Sequence, residues 1–246
     1  MTTNTELTDK YFQLIAERGL IHTQHSFKFY LSHLFKGIPL EKKSILDVGG
    51  GAGLFSFYAG CMGASNVICL EPGADGSRAG VSNRFEELQS NLRLFNQVKL
   101  DPTPVQAFDS STKFDIILLH NSVNHLDEEA CMNLQYDSAA RDTYGMIFQR
   151  LSGLARRGAK LIVTDCSRYN FFNLLNLKNP WSPTIEWHKH QSPKFWANLL
   201  QDAGFHSPKI RWTGINRLHS LGRFPIGTMV GSYFFRSHFC LVMEKK

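Results

Sequence analysis

In Ser44-Ile-Leu-Asp47-Val-Gly49-Gly50-Gly51-Ala-Gly53-Leu-Phe55, an apolar run of strand length ends in an acid, and a glycine-rich turn leads into a second apolar run. Leu54, Phe55, Tyr58 and Met62 in that second run are spaced as one face of a helix. Glycines in such a turn let the backbone bend tightly and approach a ligand closely. The helix start behind it offers free N–H groups and the positive end of a dipole. The spacing is Gly-x-Gly-x-Gly directly after an acid. No window here supplies the Gly-x-Gly-x-x-Gly of dinucleotide binders. An acid in the first turn repels a pyrophosphate but can anchor an ammonium group.

Outward from this segment, short apolar strands alternate with helices, which predicts a mostly parallel sheet. Strands are expected at Ser44–Val48, Asn66–Leu70, Val98–Leu100, Phe114–His120 and Lys160–Asp165, with two more near Lys209–Trp212 and Phe239–Glu244. The second strand ends in Glu71, where one carboxylate can take both hydroxyls of a ribose. Helical spacing is carried by Phe85, Leu88, Leu92 and Phe95, and a long helix is expected from about Asp127 to Ala155. Ser192-Pro193 opens another, with Phe195, Trp196, Leu199 and Leu200 as its buried face and Gly204 as its stop. At the N-terminus, Thr8 is expected to cap a helix running to Arg18, and Phe27, Tyr30, Leu31 and Leu34 face the core from a second. These helices form a cap over residues 1–40, ahead of a main domain at 41–246. Residues 167–191 and 213–237 break the rhythm as irregular insertions, of the kind that serve as lids or binding loops.

Composition narrows the classes. The chain of 246 residues is 43% hydrophobic, too apolar for disorder and large enough for one α/β domain. Its apolar runs are far too short to cross a bilayer, and MTTNTELTDK lacks the pattern of a signal peptide. Five widely spaced cysteines without a CxxC pair suit a reducing cytoplasmic setting better than a disulfide framework or a zinc site. The formal charge of +6 comes from scattered basic residues, which reads as a solvated surface rather than a phosphate-tracking patch.

Asp47-Val-Gly49-Gly50-Gly51-Ala-Gly53 with Glu71 resembles the first two motifs of the class I S-adenosylmethionine-dependent methyltransferases, over roughly Ser44 to Ser167. The resemblance implies a Rossmann-like α/β fold. It has seven strands, mostly parallel with an antiparallel last strand, helices on both faces and a lid insertion after the fifth strand. It implies an enzyme that binds S-adenosylmethionine and releases S-adenosylhomocysteine. Gly49, Gly51 and Gly53 would pass the methionine end, Asp47 would act on or near the amino group or simply brace the loop, and Glu71 with Pro72 would hold the ribose. The family often carries an acid after the third strand for the adenine. Here the stretch reads Asp101-Pro-Thr-Pro-Val-Gln106-Ala107-Phe108, so Gln106 and Ala107 are expected to take that contact.

Methyl transfer to an alcohol or phenol needs a positioned acceptor and a base for its proton. The fourth strand ends in His120-Asn121-Ser-Val-Asn124-His125-Leu-Asp127-Glu128, a segment similar to the base-histidine region of several small-molecule O-methyltransferases. His125 is the first candidate base. His120 and Asn121 are expected beside the cofactor and Asn124 beside the acceptor, while the alternative for His125 is a cap on the helix beginning at Asp127. His188 and His190 in the 167–191 insertion are the rival bases. Tyr169, Asn170, Phe172 and Trp187 there would line an acceptor pocket or merely pack a lid onto the core. No metal site is expected. The leading reading is methylation of a small molecule at oxygen. RNA methylation over the basic surface and a regulatory cofactor-binding protein without catalysis are the alternatives. The Asn/Asp-Pro-Pro-aromatic sequence of nucleic-acid amino-methylating relatives is absent after the fourth strand, which disfavours a nucleic-acid base as acceptor.

Overall fold

The structure is a computed structural model that describes residues 4–73, 80–212 and 228–246. Strands β1 (Ser44–Val48), β2 (Asn66–Leu70), β3 (Val98–Asp101), β4 (Phe114–His120), β5 (Ala155–Cys166), β6 (Phe205–Trp212) and β7 (His238–Lys245) form a sheet of order β3-β2-β1-β4-β5-β7-β6. β1 pairs in parallel with β2 and β4, and β2 with β3. β7 runs antiparallel to both β5 and β6. The seven-stranded α/β sheet with an antiparallel last strand is therefore as expected from sequence. β1 is buried along its whole length, as a central strand of a covered sheet requires. β5 begins at Ala155, five residues before the expected start at Lys160. Residues 156–158 are exposed there and leave no hydrophobic signal.

The chain divides into two compact units, Met1–Leu119 with Leu154–Ala159, and His120–Gly153 with Lys160–Lys246. In the first, α1 (Asn4–Glu17) packs on α3 (Leu54–Cys61) and α4 (Val81–Leu92), with α2 (Gln24–Leu34) beside α1. Tyr11 is wholly buried and donates its hydroxyl to the Leu54 carbonyl at 2.8 Å, tying α1 to the helix behind the glycine loop. Thr8 does not cap α1: the helix starts at Asn4, and the Thr8 hydroxyl donates back to the Asn4 carbonyl at 2.6 Å. Phe95 is exposed rather than buried, because Arg93 ends α4 in the left-handed region before it.

In the second unit the long helix expected from Asp127 is two, α5 (Glu128–Asn133) and α6 (Ser138–Leu154). At the break, the Asp137 carboxylate accepts the Ala139 N–H, and the Arg141 guanidinium donates to the Leu134 and Gln135 carbonyls. Those contacts satisfy backbone groups that an unbroken helix would have paired. α8 (Pro193–Asp202) starts as expected, with Ser192 accepting the Phe195 N–H, and Trp196 packs on Tyr144 and Phe148 of α6. Residues 167–191 hold the short α7 (Phe171–Leu174) and a 3₁₀ turn at Trp187–Lys189. The second insertion is not wholly irregular, since α9 (Met229–Phe234) lies in it; its residues 213–227 lie outside the described residues. Among the described residues no helix is long and apolar enough to cross a membrane.

Candidate active site

The turn after β1 puts its glycines to different uses. A Cβ on Gly50 would lie 2.5 Å from the Cys69 sulfur and 2.7 Å from Asp47 Oδ2, and one on Gly53 would lie 2.7 Å from the Phe85 ring. Both are required by packing inside the unit, so Gly53 owes its place to α4 rather than to a ligand. Gly51 differs: its φ is +55°, and the space where a Cβ would point is open. The Gly51 N–H donates to Glu71 Oε2 at 2.8 Å, and Glu71 Oε1 accepts the Gly73 N–H at 3.2 Å. Gly49 donates to the Leu70 carbonyl at 2.8 Å, which fixes the turn against the end of β2. The result is an open glycine shelf with an oriented carboxylate at its edge. Pro72 is exposed next to it.

Asp47 lies beneath this shelf, fully buried. Its Oδ2 accepts the Ser56 hydroxyl at 2.7 Å, while Oδ1 has no partner. Burial above all, with the nearby Glu71 charge, pushes the carboxyl up to about 6 against the stabilising Ser56 hydrogen bond. Burial and the Ser56 hydrogen bond make Asp47 a brace of the loop, with its charge close beneath the shelf. At the end of β3, Asp101 Oδ1 accepts the Thr103 N–H, and the Pro104 carbonyl accepts the N–H groups of Ala107 and Phe108. Val105 and Phe108 are buried as anchors, which leaves Gln106 and Ala107 exposed at the tip of the turn.

The second unit gathers a different set of groups. Burial, then the charge of His238, lowers the pKa of His120 to about 3, so its imidazole is neutral at ordinary pH. Asn121 takes a φ of +53° and donates its N–H to the Thr164 carbonyl at 2.9 Å; its Oδ1 lies 2.9 Å from His238 Nε2. Asn124 is buried, with its Oδ1 unpartnered and its Nδ2 3.3 Å from His125 Nε2. The His125 side chain is 48% exposed, and its Nδ1 lies 2.5 Å from Glu128 Oε1. Glu128 also meets Lys189 at 3.0 Å, and these two partners, His125 first, hold its carboxyl below the usual range. His125 does not cap α5. Asp127 does, accepting the Ala130 N–H at 2.9 Å.

His190 is placed otherwise. Its side chain is 14% exposed, and its Nδ1 lies 2.8 Å from Oδ1 of Asp165, a buried residue near the end of β5. The same Oδ1 accepts the Cys166 N–H at 2.7 Å, while Oδ2 has no partner. A carboxylate on Nδ1 fixes the tautomer and leaves Nε2 as the nitrogen with the free lone pair. The segment is clamped to α5, because Cys131 donates its thiol to the Lys189 carbonyl and Gln191 donates to the Cys131 carbonyl at 2.8 Å. His188, on the adjoining 3₁₀ turn, is exposed.

The expected pocket residues divide. Asn170 is buried, and its amide is used within the unit: it donates to the Tyr233 and Phe235 carbonyls and to Ser237, and accepts the Phe172 N–H as the cap of α7. That makes it a brace of the insertion rather than an acceptor contact. Trp187 is buried, Phe172 packs edge-on against Phe171, and Tyr169 is exposed. Sequence reading missed Asp165 and Ser56. The rule that singled out Glu71, an acid near the end of a sheet strand, applies equally to Asp165. Ser56 carries no local signal, since only the first turn of α3 aims it at Asp47. Among the described residues no three His, Cys, Asp or Glu side chains converge as metal ligands.

No protein-family model and no curated protein matches the chain. Solved structures do. An S-adenosylmethionine-dependent methyltransferase from Mesorhizobium loti superposes with a TM-score of 0.60 at 11% identity, covering 88% of this chain and 98% of that one. One from Aquifex aeolicus gives 0.57 at 16% identity over 87% and 89%. The magnesium protoporphyrin IX methyltransferase from Synechocystis, with S-adenosylhomocysteine bound, gives 0.56 at 16% identity over 90% and 84%. The chain thus has the fold of the S-adenosylmethionine-dependent methyltransferases.

Proposed function

We propose that this protein is an S-adenosylmethionine-dependent methyltransferase acting on a small-molecule oxygen nucleophile, with His190 as general base. The fold alone carries no activity. The observation that supports the reading is the shelf at Gly51: an open Cβ direction, a backbone turn only glycine adopts readily, and Glu71 held at its edge by two backbone N–H groups. Glu71 is the carboxylate that would meet the ribose hydroxyls at the edge of the shelf, and Asp47 places negative charge beneath the loop where an ammonium group would lie. The exposed turn at Gln106 and Ala107 is offered for the adenine. S-adenosylmethionine supplies a methyl carbon on a sulfonium, already activated for displacement.

The protein's task is then to position the acceptor and take its proton. His190 is better suited to this than His125. Asp165 orients its ring and stabilises the imidazolium that forms, whereas the half-exposed His125 faces a Glu128 carboxylate that Lys189 also engages. Titration calorimetry with S-adenosylmethionine, S-adenosylhomocysteine and NAD tests the cofactor. Binding of the first two is expected, with Glu71→Ala weakening it by about 1–3 kcal/mol. Preference for NAD, or unchanged affinity in Glu71→Ala, would reject the assignment. Transfer of labelled methyl to acceptor pools, compared between His190→Ala and His125→Ala, tests the base.

A further inference from the structure

We propose that the outward faces of α7 and α9 form a docking surface for an anionic lipid bilayer. The two helices belong to one packed element. The Phe171 ring meets Phe234 at 5.3 Å, Trp181 meets Phe235 at 5.5 Å, and the buried Asn179 donates to the Phe235 carbonyl at 2.6 Å. Its polarity is inverted relative to a surface that meets water. Inside it are Asn170, Asn179, Ser232 and Ser237, all buried and all but the Ser232 hydroxyl hydrogen-bonded through their side chains. Outside it are Leu174, Leu175, Leu177, Trp181, Met229 and Val230, with Leu174 72% and Val230 69% exposed. Among the described residues, eight of the twelve exposed large apolar side chains fall within 169–181 and 229–234. Such a concentration marks an interaction surface rather than the scattered apolar exposure of ordinary monomers.

Charge selects the occupant. Over residues 167–181 and 228–238 the sequence carries Arg168, Lys178 and Arg236 and no Asp or Glu. Lys178 and Arg236 are exposed, as the apolar side chains are. An exposed apolar surface whose own segments carry cations and no acids, with an exposed Trp181, is the pattern of elements that settle into the headgroup region of anionic membranes. A second copy of this chain is the poorer partner, since a two-fold interface would bring these cations toward their own mates.

Sedimentation with vesicles tests the proposal on the full chain without requiring turnover, so its outcome is independent of the proposed methyl transfer. Vesicles of equal parts phosphatidylcholine and phosphatidylglycerol are expected to carry the protein down, and phosphatidylcholine alone far less. Leu174→Ser with Val230→Ser should lower the partition by about tenfold or more. Lys178→Gln and Arg236→Gln should each lower it about fivefold at low salt. Both positions of the apolar pair are exposed, so unchanged thermal melts of the variant would certify that it folds. Trp181 emission should shift to the blue on the mixed vesicles, a component missing in Trp181→Phe. No partition, or equal partition of the Leu174/Val230 variant, overturns the proposal. So does a concentration-dependent dimer in analytical ultracentrifugation that this variant abolishes, because the face would then be a contact between copies.

Discussion

The glycine shelf of the first unit and the His190–Asp165 pair of the second unit are both built on strand ends, yet they are assembled by opposite means. The shelf is made from residues adjacent in the chain, and its one distant member, Glu71, arrives by the parallel pairing of β1 with β2. The histidine pair joins residues 25 apart across an insertion whose position depends on α5, through Cys131 and Gln191. A local device tolerates change elsewhere and fails at a single glycine. A device held by tertiary clamps fails when any clamp is loosened. The two regions also handle charge differently. Both acids are buried with one oxygen unpartnered, but the other oxygen of Asp47 meets a neutral hydroxyl, whereas that of Asp165 meets an imidazole and a backbone N–H.

The largest expected effect separates the two histidines. His190→Ala should lower kcat by about two to four decades and leave S-adenosylmethionine affinity nearly unchanged. Full kcat in that variant would remove His190's claim to be the base. Gly51→Val should come next. A β-branched residue at a φ of +55° strains the turn and fills the open space, and calorimetry should show cofactor affinity reduced about a hundredfold or more.

Asp47→Asn has a sign that changes with what is measured. The Asp47 carboxyl, pushed up from 3.8 to about 6, holds its proton more tightly folded than unfolded. Its contribution to stability is present below about pH 4 and lost as pH rises through about 6. Asparagine keeps an acceptor for Ser56 without the charge, so urea unfolding of the ligand-free protein should show a gain of about 2–3 kcal/mol near pH 8 and little change near pH 4. Cofactor affinity should fall in the same variant, because the negative charge beneath the loop is gone. Equal stability changes at both pH values would mean that Asp47 is not strained by burial. The smallest effect is expected at His125→Ala. Its pair with Glu128 is exposed at the surface, so thermal melts should shift by the equivalent of less than about 1 kcal/mol, with kcat kept within a few-fold.

The amino-acid sequence alone determined the alternation of strands and helices, the boundaries of β1, β2 and β4, the glycine turn and the acid at Glu71. In each case the information is local: apolar runs of strand length, helical spacing, and residue types that only a tight turn requires. Elements whose stability comes from partners were the ones misread. The break between α5 and α6 rests on Arg141 reaching back to two carbonyls, and the early start of β5 runs through exposed residues that carry no apolar signal. Asn170 reads as a ligand contact in sequence because an asparagine among aromatics gives no hint that its hydrogen bonds close on residues more than sixty positions away. The different settings of His125 and His190 are likewise a matter of tertiary structure. Both are histidines beside polar residues in sequence, and only the fold buries one against Asp165 and leaves the other at the surface with Glu128, since burial and partner are set by contacts between segments rather than by neighbours along the chain.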